Sequence, residues 1–169
     1  MKVFVIELKQ DDPAKCTAAR LVKFRLIYST RKIPKRTIVL NPLSEIIITK
    51  NDSSLYRSLC AIDCSWNRFN EIIPKLSFIS RHASRRLPLL LAGNPVNYAK
   101  LGKLSTAEAI AGSLFILGYE EQANEIMNKF KWGHTFLDLN IEILNLYHEQ
   151  ENQDGILRIE KDYFPNLYR

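Results

Sequence analysis

Cysteine and histidine are too few and too scattered in this sequence to suggest a metal centre. Cys16, Cys60 and Cys64 are an odd number of thiols, and the near pair Cys60 and Cys64 lacks the CxxC spacing of a zinc ribbon. His82, His134 and His148 stand apart, with no ligand partner at coordinating spacing. The expectation is reduced thiols in a cytoplasmic protein that holds no metal. Long apolar runs are missing too. Val3-Phe4-Val5-Ile6 is broken by Glu7 and Lys9, too short and too charged for a signal-peptide core or a membrane span, so no membrane is expected as a partner. There is no Walker loop, no GxGxxG after the first strand, no GxSxG and no HExxH, which removes the enzyme classes those motifs define. No standard RNA-module signature, internal repeat or long flexible linker occurs.

Of the 169 residues, 46% are hydrophobic, enough to bury a sizeable core and to exclude a disordered tail. Lysine and arginine number 24 against 18 acids, a net charge of +6, so a polyanionic partner is expected. The cations concentrate in the first half. Lys15, Arg20, Lys23, Arg25, Arg31, Lys32, Lys35 and Arg36 form the candidate RNA-binding set, with Arg31-Lys32-Ile33-Pro34-Lys35-Arg36 the densest patch. An ordinary solvated surface accounts for the same cations.

Short β-branched runs in the first half predict an α/β unit with a mainly parallel sheet. The expected strands are Lys2 to Leu8, Thr37 to Leu40, Ile46 to Ile48, Cys60 to Asp63 and Leu89 to Ala92. Helices are expected at Thr17 to Phe24 and Asn67 to Ile73. From Ser105 onward the periodicity predicts amphipathic helices over Thr106 to Leu117, Glu120 to Phe130 and Phe136 to Glu149, with Gly118 and Gly133 at helix-ending positions. The seam falls near Pro88, dividing an α/β half (1–87) from an all-helical half (88–169).

Ile62-Asp63-Cys64-Ser65-Trp66 reads as a strand ending in an acid, a thiol, a hydroxyl and an indole. In parallel sheets ligands sit beyond the carboxyl ends of strands, which makes this a candidate site. The same residues also read as a helix N-cap at Asp63 with Trp66 in the core, and spacing alone leaves both readings open.

Further segments carry a resemblance. Asp12-Pro13 with Lys15-Cys16-Thr17, Val39-Leu40-Asn41-Pro42, Ile62 to Trp66, Arg85 to Ala92, Asn94-Pro95-Val96-Asn97-Tyr98, and Lys103-Leu104-Ser105 with Glu108-Ala109 occur in one order along the chain. In these the sequence resembles the S-adenosylmethionine-dependent small-subunit rRNA aminocarboxypropyltransferases of archaeal type. It departs from the usual pattern at Gly93, at Arg86, where leucine is common, and at Ala99-Lys100-Leu101-Gly102, where Gly-Arg-Pro and an aromatic are frequent.

The resemblance implies a SPOUT-like knot in the α/β half, a monomer, and S-adenosylmethionine as donor substrate, with residues 1–87 binding donor and RNA and residues 88–169 completing the donor pocket. Leu40, Pro42, Leu87, Leu104, Ala109 and Ile110 would surround the adenine, and the Ile62 backbone would hold the ribose. Thr17 and the backbone at Arg86 and Leu87 would take the amino-acid end, with Asp63, Trp66, Tyr98 and Ser105 completing the donor site. Trp66 would wall off the donor methyl so that the γ-carbon faces N3 of a modified, pseudouridine-type base in small-subunit rRNA. Asp63 would orient the donor or remove the proton. A SPOUT-type RNA methyltransferase and a non-catalytic, RNA-binding ribosome-assembly factor stand as the competing readings.

Overall fold

A computed structural model describes residues 1–8, 16–65, 68, 71, 76 and 81–168. Five strands form one all-parallel sheet: β1 (Lys2–Glu7), β2 (Tyr28–Ser29), β3 (Thr37–Leu40), β4 (Ser58–Asp63) and β5 (Ala83–Arg85), in the order β2-β1-β4-β3-β5. The central pair β1 and β4 runs in register from Lys2↔Ser58 to Glu7↔Asp63. Both strands are apolar because both sheet faces are covered. On one face Val3, Val5, Ile38, Leu59 and Ala61 join the main core; on the other Ile6, Val39, Cys60 and Ile62 pack against Ile33.

Helix α1 (Thr17–Lys23) and a brief α2 (Asp52–Leu55) accompany the strands, and α3 (Thr106–Ile116), α4 (Glu120–Met127), α5 (Gly133–His148) and α6 (Gln153–Tyr163) follow, ending in a 3-10 turn at Pro165–Leu167. Helix α3 lies against β4 and α1 and is covered by α4 and α5. It is therefore buried nearly all round, from Ala107 to Ile116 apart from Ala109, rather than amphipathic. No helix of the described residues is long and apolar enough to cross a membrane.

Two expectations are corrected. The second half is not all helical from residue 88: residues 88–105 hold no helix, Leu91 bridges Leu101 in antiparallel sense, and helix resumes only at Thr106. The SPOUT-like knot is withdrawn as well. What the described residues establish is a five-stranded parallel sheet with helices packed on it, and nothing in them supports a knot.

The expected strands at Ile46 to Ile48 and Leu89 to Ala92 are extended segments with side-chain and single-bridge pairing instead. Ile47 bridges Arg86. Leu91 donates its N–H to Asn140 Oδ1 at 2.8 Å and accepts from Asn140 Nδ2 at 2.9 Å. Leu89 donates to Glu160 Oε1 at 2.8 Å and accepts from the Tyr147 hydroxyl at 3.1 Å. Buried polar residues of α5 and α6 thus satisfy an apolar run whose backbone would otherwise need a neighbouring strand. Gly93 permits this approach, since a Cβ there would stand 2.6 Å from the Phe136 backbone. The expected helix at Asn67 to Ile73 falls largely outside the described residues.

Candidate active site

The chain leaves β3, β4 and β5 at the same end of the sheet, and a cleft of about 220 Å³ opens there. Its floor and walls come from four stretches. Leu40, Asn41 and Pro42 follow β3; Ala61, Ile62 and Cys64 end β4; Arg86, Leu87, Pro88 and Leu89 follow β5; Gly102, Leu104, Ser105, Thr106 and Ala109 lead into α3. Parallel strands leave ligand space at their carboxyl ends because the chain must diverge to reach its crossovers.

Asp63 ends β4 at the rim. Its Oδ1 accepts a 2.6 Å hydrogen bond from the Thr106 hydroxyl, and its Oδ2 accepts one of 3.1 Å from the Cys16 thiol. Cys16 is the N-cap of α1, where its sulfur accepts from the Ala19 N–H at 3.3 Å. Burial, reinforced by the Asp63 carboxylate beside it, pushes the Cys16 thiol up to about 11, so it stays protonated and donates at neutral pH. Thr17, the first residue of α1, accepts at its hydroxyl from the Ala107 N–H at 3.2 Å. The N-terminal ends of α1 and α3 therefore meet over the end of β4.

The entry to α3 is fixed by a capping box between Ser105 and Glu108. Glu108 is fully buried, and its carboxylate accepts four hydrogen bonds, from the N–H groups of Gly93, Asn94 and Ser105 and from the Asn94 amide. The wall after β5 is held by a second buried carboxylate. Glu160 pairs with the Arg86 guanidinium at 3.1 Å and accepts from the Leu89 N–H and from the Tyr168 hydroxyl at 2.7 Å.

Of the residues singled out from the sequence, Leu40, Pro42, Ile62, Arg86, Leu87, Leu104, Ser105 and Ala109 line the cleft, and Asp63 and Thr17 stand beside it. Ile110 is fully buried in the core behind. The Arg86 backbone is already engaged, its N–H donating to Ile46 and its carbonyl accepting from Ile48, and its side chain is turned to Glu160. Tyr98 is outside the cleft lining, 58% exposed on a turn. Trp66 and Lys15 lie outside the described residues. Sequence reasoning passed over Gly102 and Thr106 as site residues, and the partnership of Cys16 with Asp63.

The described candidate RNA-binding cations lie on two segments of the chain. Arg20 and Lys23 lie on α1 and Arg25 just after it, and Arg20 lies over the rings of Phe24 and Phe130. Arg31 to Arg36 cross to the other face, anchored by the buried Ile33, and Arg36 donates to the Leu55 carbonyl at 2.9 Å.

Sheet, cleft and rim define an α/β protein with a largely apolar cleft, and an acid beside it, at the carboxyl edge of a parallel sheet. The chain belongs to the family described as "Ribosome biogenesis protein, C-terminal", whose model matches residues 38–164, and with it to the 16S rRNA aminocarboxypropyltransferases. Relatives of that name include one from Saccharolobus islandicus, 40% identical with 100% of this chain and 99% of the relative covered, and one from Methanosarcina acetivorans, 38% identical with 95% and 93% covered. The solved SAM-dependent rRNA:acp-transferase Tsr3 from Vulcanisaeta distributa superimposes with a TM-score of 0.83 at 33% identity, covering 95% of this chain and 96% of that one. The α/β fold with its parallel sheet is thus of the Tsr3 type.

A second match, to a "Possible Fer4-like domain in RNase L inhibitor", covers residues 1–32. Iron–sulfur clusters are held by sets of cysteine thiolates. That span contains the single cysteine Cys16, whose proton is committed to Asp63, so its residues do not fit a cluster.

Proposed function

We propose that this chain transfers the 3-amino-3-carboxypropyl group of S-adenosylmethionine to N3 of a modified, pseudouridine-type uridine in small-subunit rRNA, releasing methylthioadenosine. The observation that carries the reading is the cleft itself: an aliphatic slot of Leu40, Ile62, Leu87, Leu104 and Ala109 suited to a purine, with a carboxylate fixed at its rim. Residues 1–87 and 88–169 both contribute walls, the first segment carrying the donor-proximal acid and the second closing the slot. The enzyme works as a cytoplasmic monomer on the ribosomal RNA or its precursor particle.

Bound there, the donor supplies a sulfonium that activates each of its three attached carbons, so the group that moves is the one the walls aim at the acceptor. Leu40, Leu87, Leu104 and Ala109 exclude water around the adenine, and the Leu87 N–H together with the Thr17 hydroxyl orients the amino-acid end. N3 of the uridine forms its bond to the γ-carbon as the carbon–sulfur bond breaks, and the N3 proton leaves to water. Asp63 accepts hydrogen bonds at both oxygens already and keeps lone pairs for the donor's ammonium, which makes it an orienting group before a base. Trp66 is carried into the donor site by the sequence motif alone.

Incubation with carboxyl-labelled donor and small-subunit RNA tests the proposal. Label should enter the RNA with methylthioadenosine as co-product. Entry of methyl label in place of carboxyl label would make the protein a methyltransferase, and failure to bind the donor would leave an assembly factor.

A further inference from the structure

Residues 90–102 fold back on themselves beside the cleft, and their tip is exposed in a way the proposed donor site does not use. Ala92 accepts from Ala99 at 2.7 Å and donates to Lys100 at 3.0 Å, and Gly102 donates to Leu90 at 2.9 Å. The Asn97 N–H is bound by the Asn94 side chain at 3.0 Å. The buried Glu108 clamps the near side of the turn through Gly93 and Asn94. Ala99 holds a left-handed φ of 58°, a conformation that glycine would adopt at less cost. A turn this heavily tied down nonetheless presents Val96 at 82% and Tyr98 at 58% exposure.

The chemistry of the tip indicates its occupant. The large exposed side chains are one ring and one isopropyl group, with the smaller Pro95 and Ala99 exposed beside them and Asn97 and Lys100 in the same turn, a patch far smaller than a protein interface and matched to a single nucleobase. No acidic residue stands between Glu71 and Glu108 along the chain, and the charge the tip itself exposes is the Lys100 ammonium, which suits a phosphate. Gly102 and Leu89, at the base of the fold-back, line the cleft. Tyr98 is four residues from Gly102, at most about 14 Å along the chain, so an unstacked strand whose acceptor base enters the cleft passes the tip within a few nucleotides.

We infer that the 94–100 tip is a contact surface for single-stranded acceptor RNA, in which the Tyr98 ring stacks on a base flanking the modified one and Lys100 meets the backbone. Tyr98 then serves the RNA rather than the donor. The inference rests on the RNA-modifying reading of the cleft, and binding measurements separate the two.

The probe is a loop oligonucleotide of small-subunit rRNA carrying the acceptor uridine, titrated by fluorescence anisotropy. Tyr98→Ala should weaken its binding about tenfold, Tyr98→Phe and Tyr98→Trp should retain it, and donor affinity by calorimetry should stay at the wild-type value. Lys100→Gln should flatten the salt dependence by about one single-strand phosphate contact, a slope change near 0.7. Wild-type RNA affinity in a Tyr98→Ala protein with an unchanged melting temperature overturns the inference and leaves the tip to a protein partner. A loss of donor affinity in that variant overturns it in favour of a donor contact. Absence of label transfer by the wild-type protein would sink the function proposed above while leaving these binding results interpretable.

Discussion

Asp63 takes its orientation from two donors that lie far from it in the chain, the thiol of Cys16 and the hydroxyl of Thr106. A hydrogen bond to a charged group is worth about 1.5–3 kcal/mol, enough to hold the carboxylate in one rotamer at the cleft rim. Thr106→Val keeps the shape and deletes the donor, so the carboxylate should swing and donor affinity should fall roughly tenfold, about 1.4 kcal/mol, with Thr106→Ser restoring it. Calorimetric titration with S-adenosylmethionine measures this, and a Thr106→Val protein that binds as wild type would show that Thr106 does not set the acid. Asp63 itself was legible, because a lone acid at the end of an apolar strand is conspicuous. Cys16 and Thr106 were not, since neither residue type announces a carboxylate partner and only the convergence of α1, α3 and β4 joins positions so far apart. Gly102 escaped notice because it contributes backbone and open space: with φ +70° and nothing near its Cβ position, it leaves no side-chain signature.

Two buried carboxylates organise the elements around the site, and both act on segments that make few ladder bonds of their own. Glu108 fastens the 93–94 turn to α3 and Glu160 fastens the 86–89 wall to α6. Removing one member of a buried ion pair leaves a charge without compensation, at a cost of about 3–5 kcal/mol. Arg86→Met should therefore lower the stability measured by urea denaturation by about that amount, and the double variant Arg86→Met with Glu160→Gln should recover most of it, because glutamine still accepts from Leu89 without a charge. Equal losses in the single and double variants would deny the pair its coupling. Arg86, a departure from the pattern the sequence resembles, is thus matched by an acid on α6. The helices from α3 to α5 were readable from their apolar periodicity and from Gly118 just past the end of α3, whereas Gly133, expected to end a helix, is the first residue of α5. Strand β5 was not, because Ala83-Ser84-Arg85 has no apolar alternation and exists through its pairing with β3 and the Arg85 contact to the buried Asp52 at 3.0 Å. The apolar run Leu89 to Ala92 misled in the opposite sense: its composition is that of a buried strand, but Asn140, Glu160 and Tyr147 supply the partners that a strand would.

At the scale of the whole molecule, the described candidate RNA-binding cations lie on two sides of the sheet, and the position of the cleft distinguishes them. Strand β2 pairs Ser29 with Val5, and Thr30 donates to the Val5 carbonyl at 2.9 Å, so Arg31 and Lys32 emerge toward the carboxyl end of the sheet. They follow the edge strand, which lies two strand spacings from β4, about 10 Å, within the footprint of a strand entering the cleft. Lys23 ends α1 and Arg25 comes just after it, whereas the N-terminal end of the helix is the one at Asp63, so both lie away from the cleft. Counterion release makes the salt dependence of RNA affinity a count of phosphate contacts, with a slope of about 0.7 per contact on single strands and 0.9 on duplex. Neutralising Arg31 and Lys32 together by Arg31→Gln and Lys32→Gln should reduce the slope by about 1.4–1.8 and leave the donor dissociation constant as it was, since neither residue lines the cleft. The matched pair Lys23→Gln and Arg25→Gln should change the slope little. Reversal of that order would place the RNA along α1 instead, and equal effects would mean that the RNA wraps the edge of the sheet to reach both faces.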